Sequence, residues 1–273
     1  MSSDTEVLST YVDTWRSSAA EVSALLRDLD AAEWDLPTAL PGWDVRAVAA
    51  HLAHLESELA GIPQPEVVVA PAPHITGPMS EFTERGPIAR RGWAPSQIVD
   101  ELDHAVALRS AALTADPPQD PDALAPGFAG LIGWTWRTLL SNRPLDLWMH
   151  EQDIRRATGR PGGLTSAGAR HTAAVVAASL PFVVGKRAQA PIGSTVALEV
   201  TGALPATYAV TVGEDGRARP TEAVAEPTAR ITLDFGDWIA LAGGRVAGDA
   251  VPAVVQGDAD LAERALRSMA VTP

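Results

Sequence analysis

The sequence predicts an α+β protein in two parts, a four-helix bundle over residues 1–163 and an α+β domain over residues 164–273. Three observations predict it. Apolar residues recur at three- and four-residue steps through four long stretches before residue 160, the spacing of a helix with one buried face. Gly159-Arg160-Pro161-Gly162-Gly163 then breaks the pattern. Beyond it, short alternating segments divided by Gly, Pro and Asp turns dominate. With 273 residues, 46% of them hydrophobic, the chain has enough apolar material for a sizeable core.

The first helix is expected over 4–29, where Leu8, Tyr11, Val12, Trp15, Val22, Leu25, Leu26 and Leu29 form one stripe. A connector with Pro37, Pro41 and Gly42 follows. The second helix is expected over 44–60. Asp44 fits its N-cap, Trp43 is placed to pack on Val48, and Val45, Val48, Leu52, Leu55 and Leu59 supply the apolar face. Residues 61–95 are Pro-rich with little periodicity and read as a long loop of the kind that covers a site. The third helix is expected over 95–115, capped by Ser96, and the fourth over 131–158, where Pro144 should kink or split it. In the second part a helix over 166–186 precedes strands in STVALEVTG, ATYAVTVGEDG and ARITLDFG. A short helix in DWIALAGG, a strand in AVVQGD and a terminal helix in ADLAERALRSM complete it, a pattern of helices against an antiparallel sheet.

The formal net charge of −13 argues against nucleic acid or an anionic membrane as partner, since both need a basic footprint. A small anionic substrate needs only a local cation. The chain has no cysteine, which excludes disulfides, thiolate metal sites and a protein thiol nucleophile. The start of the sequence lacks the basic and apolar regions of a secretory signal, and no apolar run approaches the roughly 18 residues of a membrane span. The expected location is cytoplasmic.

Asp146 and His150 stand four residues apart, so on a helix they share a face about one turn apart. That spacing suits two ligands of one metal, but taken alone it is more often a surface hydrogen-bonded pair. His51 and His54, three apart on the second helix beside Leu52 and Leu55, read either as packed core residues or as ligands. If both helices turn these groups inward, three protein ligands leave a coordination position open, the arrangement of a catalytic rather than a structural ion. Asp153 is placed either to orient a ligand histidine or to pair with Arg156, and Glu151, Arg155 and Arg156 read as a solvated face. The eight tryptophans suit core filling or pocket walls.

Two segments carry a resemblance. PTALPGWDVRAVAAHLAHLE, with its Pro-Gly-Trp, Val-Arg and Ala-His-Leu, resembles the N-terminal signature of the mycothiol-dependent maleylpyruvate isomerase family, part of the DinB-like superfamily. LDLWMHEQDIRRATGRPGG resembles that family's second signature. The resemblance implies a DinB-like bundle that holds a divalent metal, usually zinc, through one histidine from the first signature and a carboxylate and a histidine from the second. Carried over, the ligands are His51, Asp146 and His150, with His54 as the alternative to His51. The family often has glutamate where Asp146 stands, so the shorter side chain requires a closer backbone. ITLDFGDWIALAGGRVAGDAVPAVVQGDADLAERAL resembles the family's second, sterol-carrier-protein-like domain. There the resemblance implies a catalytic arginine for the substrate carboxylate, with Arg245 the candidate and Arg230 its competitor.

The implied function is a metal- and thiol-dependent isomerase or S-transferase. Mycothiol supplies the sulfur that the chain lacks, and a small electrophile is the other partner. A metal hydrolase, or a non-enzymatic carrier of an apolar molecule in the second domain, are the alternative readings. Thiol dependence separates the first two, and loss of turnover on chelation separates both from the third.

Overall fold

The computed structural model describes residues 4–222 and 224–272. The chain divides into two compact units, the first ending at Gly163 and the second beginning at Leu164.

The first unit is built on four long helices: α1 (Asp4–Arg27), α2 (Val45–Leu59), α4 (Pro95–Ala115) and α6 (Trp136–Thr158). Helices α1 and α2 each pack on both α4 and α6, which closes a ring around one core. The stripe expected on α1 lies in it: Leu8, Val12, Trp15, Val22, Leu25 and Leu26 are buried. Helix α2 begins as its sequence indicates, with the Asp44 carboxylate accepting from the Ala47 N–H at 2.7 Å, and Trp43 packs against the core cluster that contains Val48.

Four expectations need correction. Residues 61–95 are not a loop throughout, because α3 (Pro78–Arg90) forms within them and packs on α2. Helix α4 is capped at Ala94, not Ser96: the Gln97 side chain accepts from the Ala94 N–H at 2.8 Å while Pro95 takes the first turn, where it has no donor to lose. The fourth helix starts at Trp136, preceded by the single turn α5 (Gly127–Leu131). Helix α6 runs unbroken past Pro144, which is buried within it. It stops where Gly159 takes φ 65°, the left-handed conformation that closes helices and that glycine adopts without a Cβ clash.

The core of the bundle is not wholly apolar. Glu56 on α2 has no exposed surface. Its carboxylate accepts from Trp15 Nε1 of α1 at 3.0 Å, Arg109 Nη1 of α4 at 2.9 Å and Arg143 Nε of α6 at 3.0 Å. Arg109 also lies over the Trp15 ring, 4.7 Å from its centroid. Burial alone would push the Glu56 carboxyl up, but the Arg143 and Arg109 charges outweigh it and hold it below its usual value.

The second unit opens with α7 (Ala167–Ala178), which continues through Ser179 into a π turn at Phe182–Arg187. By length and composition alone the run Ala167–Arg187 could cross a membrane, which amends the expectation that no segment does. The buried core helix of a globular unit passes the same test. The sheet that follows is mixed rather than antiparallel. Strands β1 (Thr195–Thr201), β2 (Ala206–Val212), β3 (Ala218–Thr221), β4 (Ala229–Asp234) and β5 (Val254–Gly257) take the order β3-β2-β1-β4-β5. The β1–β4 pair is parallel and the others are antiparallel. Strand β3, not expected from the sequence, contains Pro220, which is tolerated because the strand is at an edge. Val196, Leu198, Val200, Ile231 and Leu233 are buried, and α8 (Phe235–Ala242) and α9 (Ala259–Arg267) pack on β4.

Two changes probe the bundle. A Cβ at Gly86 would stand 2.6 Å from His54 Cβ and 2.9 Å from the Ala50 carbonyl oxygen, so Gly86→Ala should force α3 off α2 and cost about 1–3 kcal/mol in urea unfolding. Glu56→Ala leaves two buried arginines without their common partner and should cost about 3–5 kcal/mol. A loss under about 1 kcal/mol in the Glu56 variant would mean that water replaces the carboxylate.

Candidate metal centre

Two helices bring three side chains to one point. Helix α2 contributes His51, which is buried. Helix α6 contributes Asp146 and His150, one turn apart. One ligand atom from each lies within 4.8 Å of the other two. Asp146 Oδ2 is 3.7 Å from His51 Nε2, and Asp146 Oδ1 is 3.6 Å from His150 Nε2. These separations are too long for hydrogen bonds. They are close to the spacing of donors around a shared ion, since two atoms each bound at 2.0–2.1 Å to a tetrahedral centre stand about 3.3 Å apart. Two imidazoles and a carboxylate are also the donor types that zinc and its neighbours accept. The residues present therefore fit a divalent ion.

The surroundings prepare these groups for that role. Burial pushes the His51 imidazole down, against the pull of Asp146, and so favours the neutral ring that a metal requires. Burial opposes ionisation of Asp146, but Arg143 and the two histidines outweigh it and hold the carboxyl far below the usual carboxylate range. His150 Nδ1 lies 3.0 Å from Asp153 Oδ2, and Asp153 is buried. This contact, with the burial of Asp153, fits the reading in which Asp153 orients His150 and leaves Nε2 facing Asp146. Arg143 Nη1 donates to Asp146 Oδ2 at 3.0 Å.

Trp43 forms a wall. Its indole centroid is 4.9 Å from the His51 ring and 6.1 Å from the His150 ring. The indole N–H donates to Glu84 Oε1 of α3 at 2.6 Å, and His74 Nε2 lies 2.7 Å from the same oxygen. The segment expected to cover a site thus reaches the tryptophan beside it. Trp43 also lines a cleft of about 310 Å³ with Asp44, Arg46, Glu84 and Arg91.

His54 is not among the three. Its Nδ1 lies 3.0 Å from Oε1 of Gln64, in the connector after α2, and its ring stands 5.5 Å from that of Phe82 on α3. Of the residues read as a solvated face, Arg156 is exposed and Arg155 half-buried, but Glu151 is fully buried and accepts from Arg155 Nε at 2.6 Å. Helix α6 is enclosed on nearly every side between Arg143 and Ile154, so its polar residues lie inside the unit. In the second unit Arg245 lines a cleft of about 410 Å³ with Asp249 and Arg267. Arg230 is engaged by the Glu199 carboxylate and the Ala225 carbonyl.

Sequence reasoning missed Arg143 and Glu56. A signal for each existed. Arg143 precedes Asp146 by three residues and shares its face, and Glu56 follows Leu52 by four, at the edge of the apolar stripe of α2.

Comparison with known proteins follows the same lines. The family model described as the mycothiol maleylpyruvate isomerase N-terminal domain matches residues 15–155. Two solved structures resemble the chain: the mycothiol-dependent maleylpyruvate isomerase, with a TM-score of 0.50, and a variant of it with one histidine replaced by alanine, with a TM-score of 0.53. Each is 17% identical, over 90% of this chain and 92% of that one, a likeness of fold that supports the α+β class. No curated protein sequence matches. The family model spans more than half of the sequence and contains all three clustered residues, and the chain belongs to the mycothiol maleylpyruvate isomerase family.

Proposed function

We propose that this chain is a metal- and mycothiol-dependent isomerase or S-transferase acting on a small electrophile, with His51, Asp146 and His150 as the ligands of a divalent ion, zinc by preference. The observation that carries the reading is the convergence of these three donors, from two helices, within 4.8 Å. When bound, the ion supplies an open coordination position at which a thiol is held as its thiolate.

The chain's own residues do the rest. Two neutral imidazoles and one carboxylate leave the site with a net positive charge, which favours an anionic sulfur over a neutral one. Asp153 fixes the ring of His150. Trp43 covers the two histidine rings and limits water there. The chain has no cysteine, so the sulfur nucleophile comes from the cosubstrate. In the isomerase form the thiolate adds to a conjugated cis double bond, the resulting single bond rotates, and the thiolate leaves as the double bond re-forms. In the transferase form the adduct takes a proton and departs. In this reading Arg245, which lines a cleft of the second unit and donates to the Gly243 carbonyl, meets the carboxylate of an anionic substrate, with Arg230 as its competitor. The reaction belongs to the cytoplasm in this reading.

Two measurements test it. Elemental analysis should find about one divalent ion per chain, and His51→Ala, Asp146→Ala and His150→Ala should each lose more than the about 10–100-fold in affinity typical of removing an outer hydrogen-bond partner. His54→Ala should change affinity far less; the opposite ranking would mean that His54 is the ligand. Titrating mycothiol into the cobalt(II) form should add a sulfur charge-transfer band near the ultraviolet and release protons. An unchanged spectrum during turnover of an electrophile would replace this reading with a hydrolytic one.

A further inference from the structure

We propose that Arg143, anchored by Glu56, is a positioning residue of the metal centre: it holds one oxygen of Asp146 and sets the separation of the two ligand-bearing helices, leaving the other Asp146 oxygen for the ion. The inference rests on the metal reading above and centres on Arg143, which lies outside both segments that carry the family resemblance.

Three observations support it. Arg143 is buried, yet its guanidinium is used on two sides. Nη1 donates to Asp146 Oδ2 at 3.0 Å, and Nε donates to Glu56 Oε1 at 3.0 Å. Nη2 lies 2.9 Å from the same Glu56 oxygen, so the guanidinium faces Glu56 with two nitrogens. Glu56 is on α2 with His51, and Arg143 is on α6 with Asp146 and His150. The ion-pair chain Glu56–Arg143–Asp146 therefore links the helix that supplies one ligand to the helix that supplies the other two.

The second argument is energetic. Replacing a buried ion pair by well-packed apolar groups is often neutral or stabilising, so stability alone does not account for such a chain in a bundle core. Its end on a ligand carboxylate does. The third argument is geometric. An aspartate is one methylene shorter than a glutamate and has less reach to find an ion. Its carboxylate must be held in one orientation by something rigid. Arg143 stands three residues before Asp146 on the same helix, so the helix backbone fixes their relation.

The sign of the effect separates positioning from charge. A guanidinium close to the site repels a divalent cation, so on charge alone its removal tightens metal binding. If Arg143 positions Asp146, its removal loosens binding. The full chain and the variants Arg143→Gln and Arg143→Lys would be titrated with zinc and cobalt(II) against a chromophoric chelator, and the cobalt ligand-field spectrum recorded. Both variants should bind about 10–100-fold more weakly and show shifted ligand-field bands, because neither a neutral amide nor a single ammonium spans Glu56 and Asp146 together. Should Arg143→Gln fail to fold, Arg143→Lys decides the question, since it keeps the buried charge that Glu56 requires. Binding as tight as in the parent, or tighter, with the parental spectrum in either folded variant overturns the inference while leaving the metal site intact. Absence of metal binding in the parent chain overturns the metal reading itself, and the inference with it.

Discussion

A carboxylate with no exposed surface has to be answered inside the protein, and Glu56 is answered from every side of the bundle. Trp15 reaches it from α1, Arg109 from α4 and Arg143 from α6, while Glu56 itself belongs to α2. Hydrophobic burial is non-directional and would tolerate many rotations of four helices about a core. Hydrogen bonds and ion pairs to a single carboxylate tolerate few. This one polar point fixes how the four helices are turned, and the candidate metal centre depends on that turn because its three side chains come from two of them.

The charges near the centre form a series of alternating sign: Arg109, Glu56, Arg143, Asp146. Each buried charge is next to its opposite, which keeps the desolvation of any one from being uncompensated. The series ends at Asp146, whose side chain is 20% exposed, the most open of the three donors. The buried charges behind the site each face an opposite charge, and the exposed end of the series is Asp146.

Much of this was legible in the sequence. The stripes of α1 and α2, the Asp44 cap and the Gly159 stop act locally, and local rules found them. Helix α3 was not legible, because PMSEFTERGPIAR has no apolar stripe and carries Pro87 and Gly86 in its interior. It exists through its packing on α2, where Gly86 leaves no room for a side chain. The parallel β1–β4 pair was hidden because period-two alternation says nothing about strand direction. At the site, spacing proposed Asp146 with His150, and the resemblance chose His51 over His54. Burial made the difference for Glu151, which looked like a surface residue because a polar helix suggests solvent, and spacing left Asp153 open between His150 and Arg156; α6 buries both carboxylates beside partners on its own helix.

The mixed sheet has a consequence for how the second unit can assemble. Strands β1 and β2 are joined by a short turn, so their pairing closes a small loop. The β1–β4 pairing joins residues 33 positions apart, such as Glu199 and Thr232. Loop-closure entropy and the added crossover favour the hairpin first and the parallel pair later. In the interval the long edge of β1, which will become the middle of the sheet, offers unpaired backbone donors and acceptors beside Val196, Leu198 and Val200. Such an edge is a template for another chain. The interior strand of the finished sheet is therefore the most vulnerable one during synthesis, and its protection arrives only with β4.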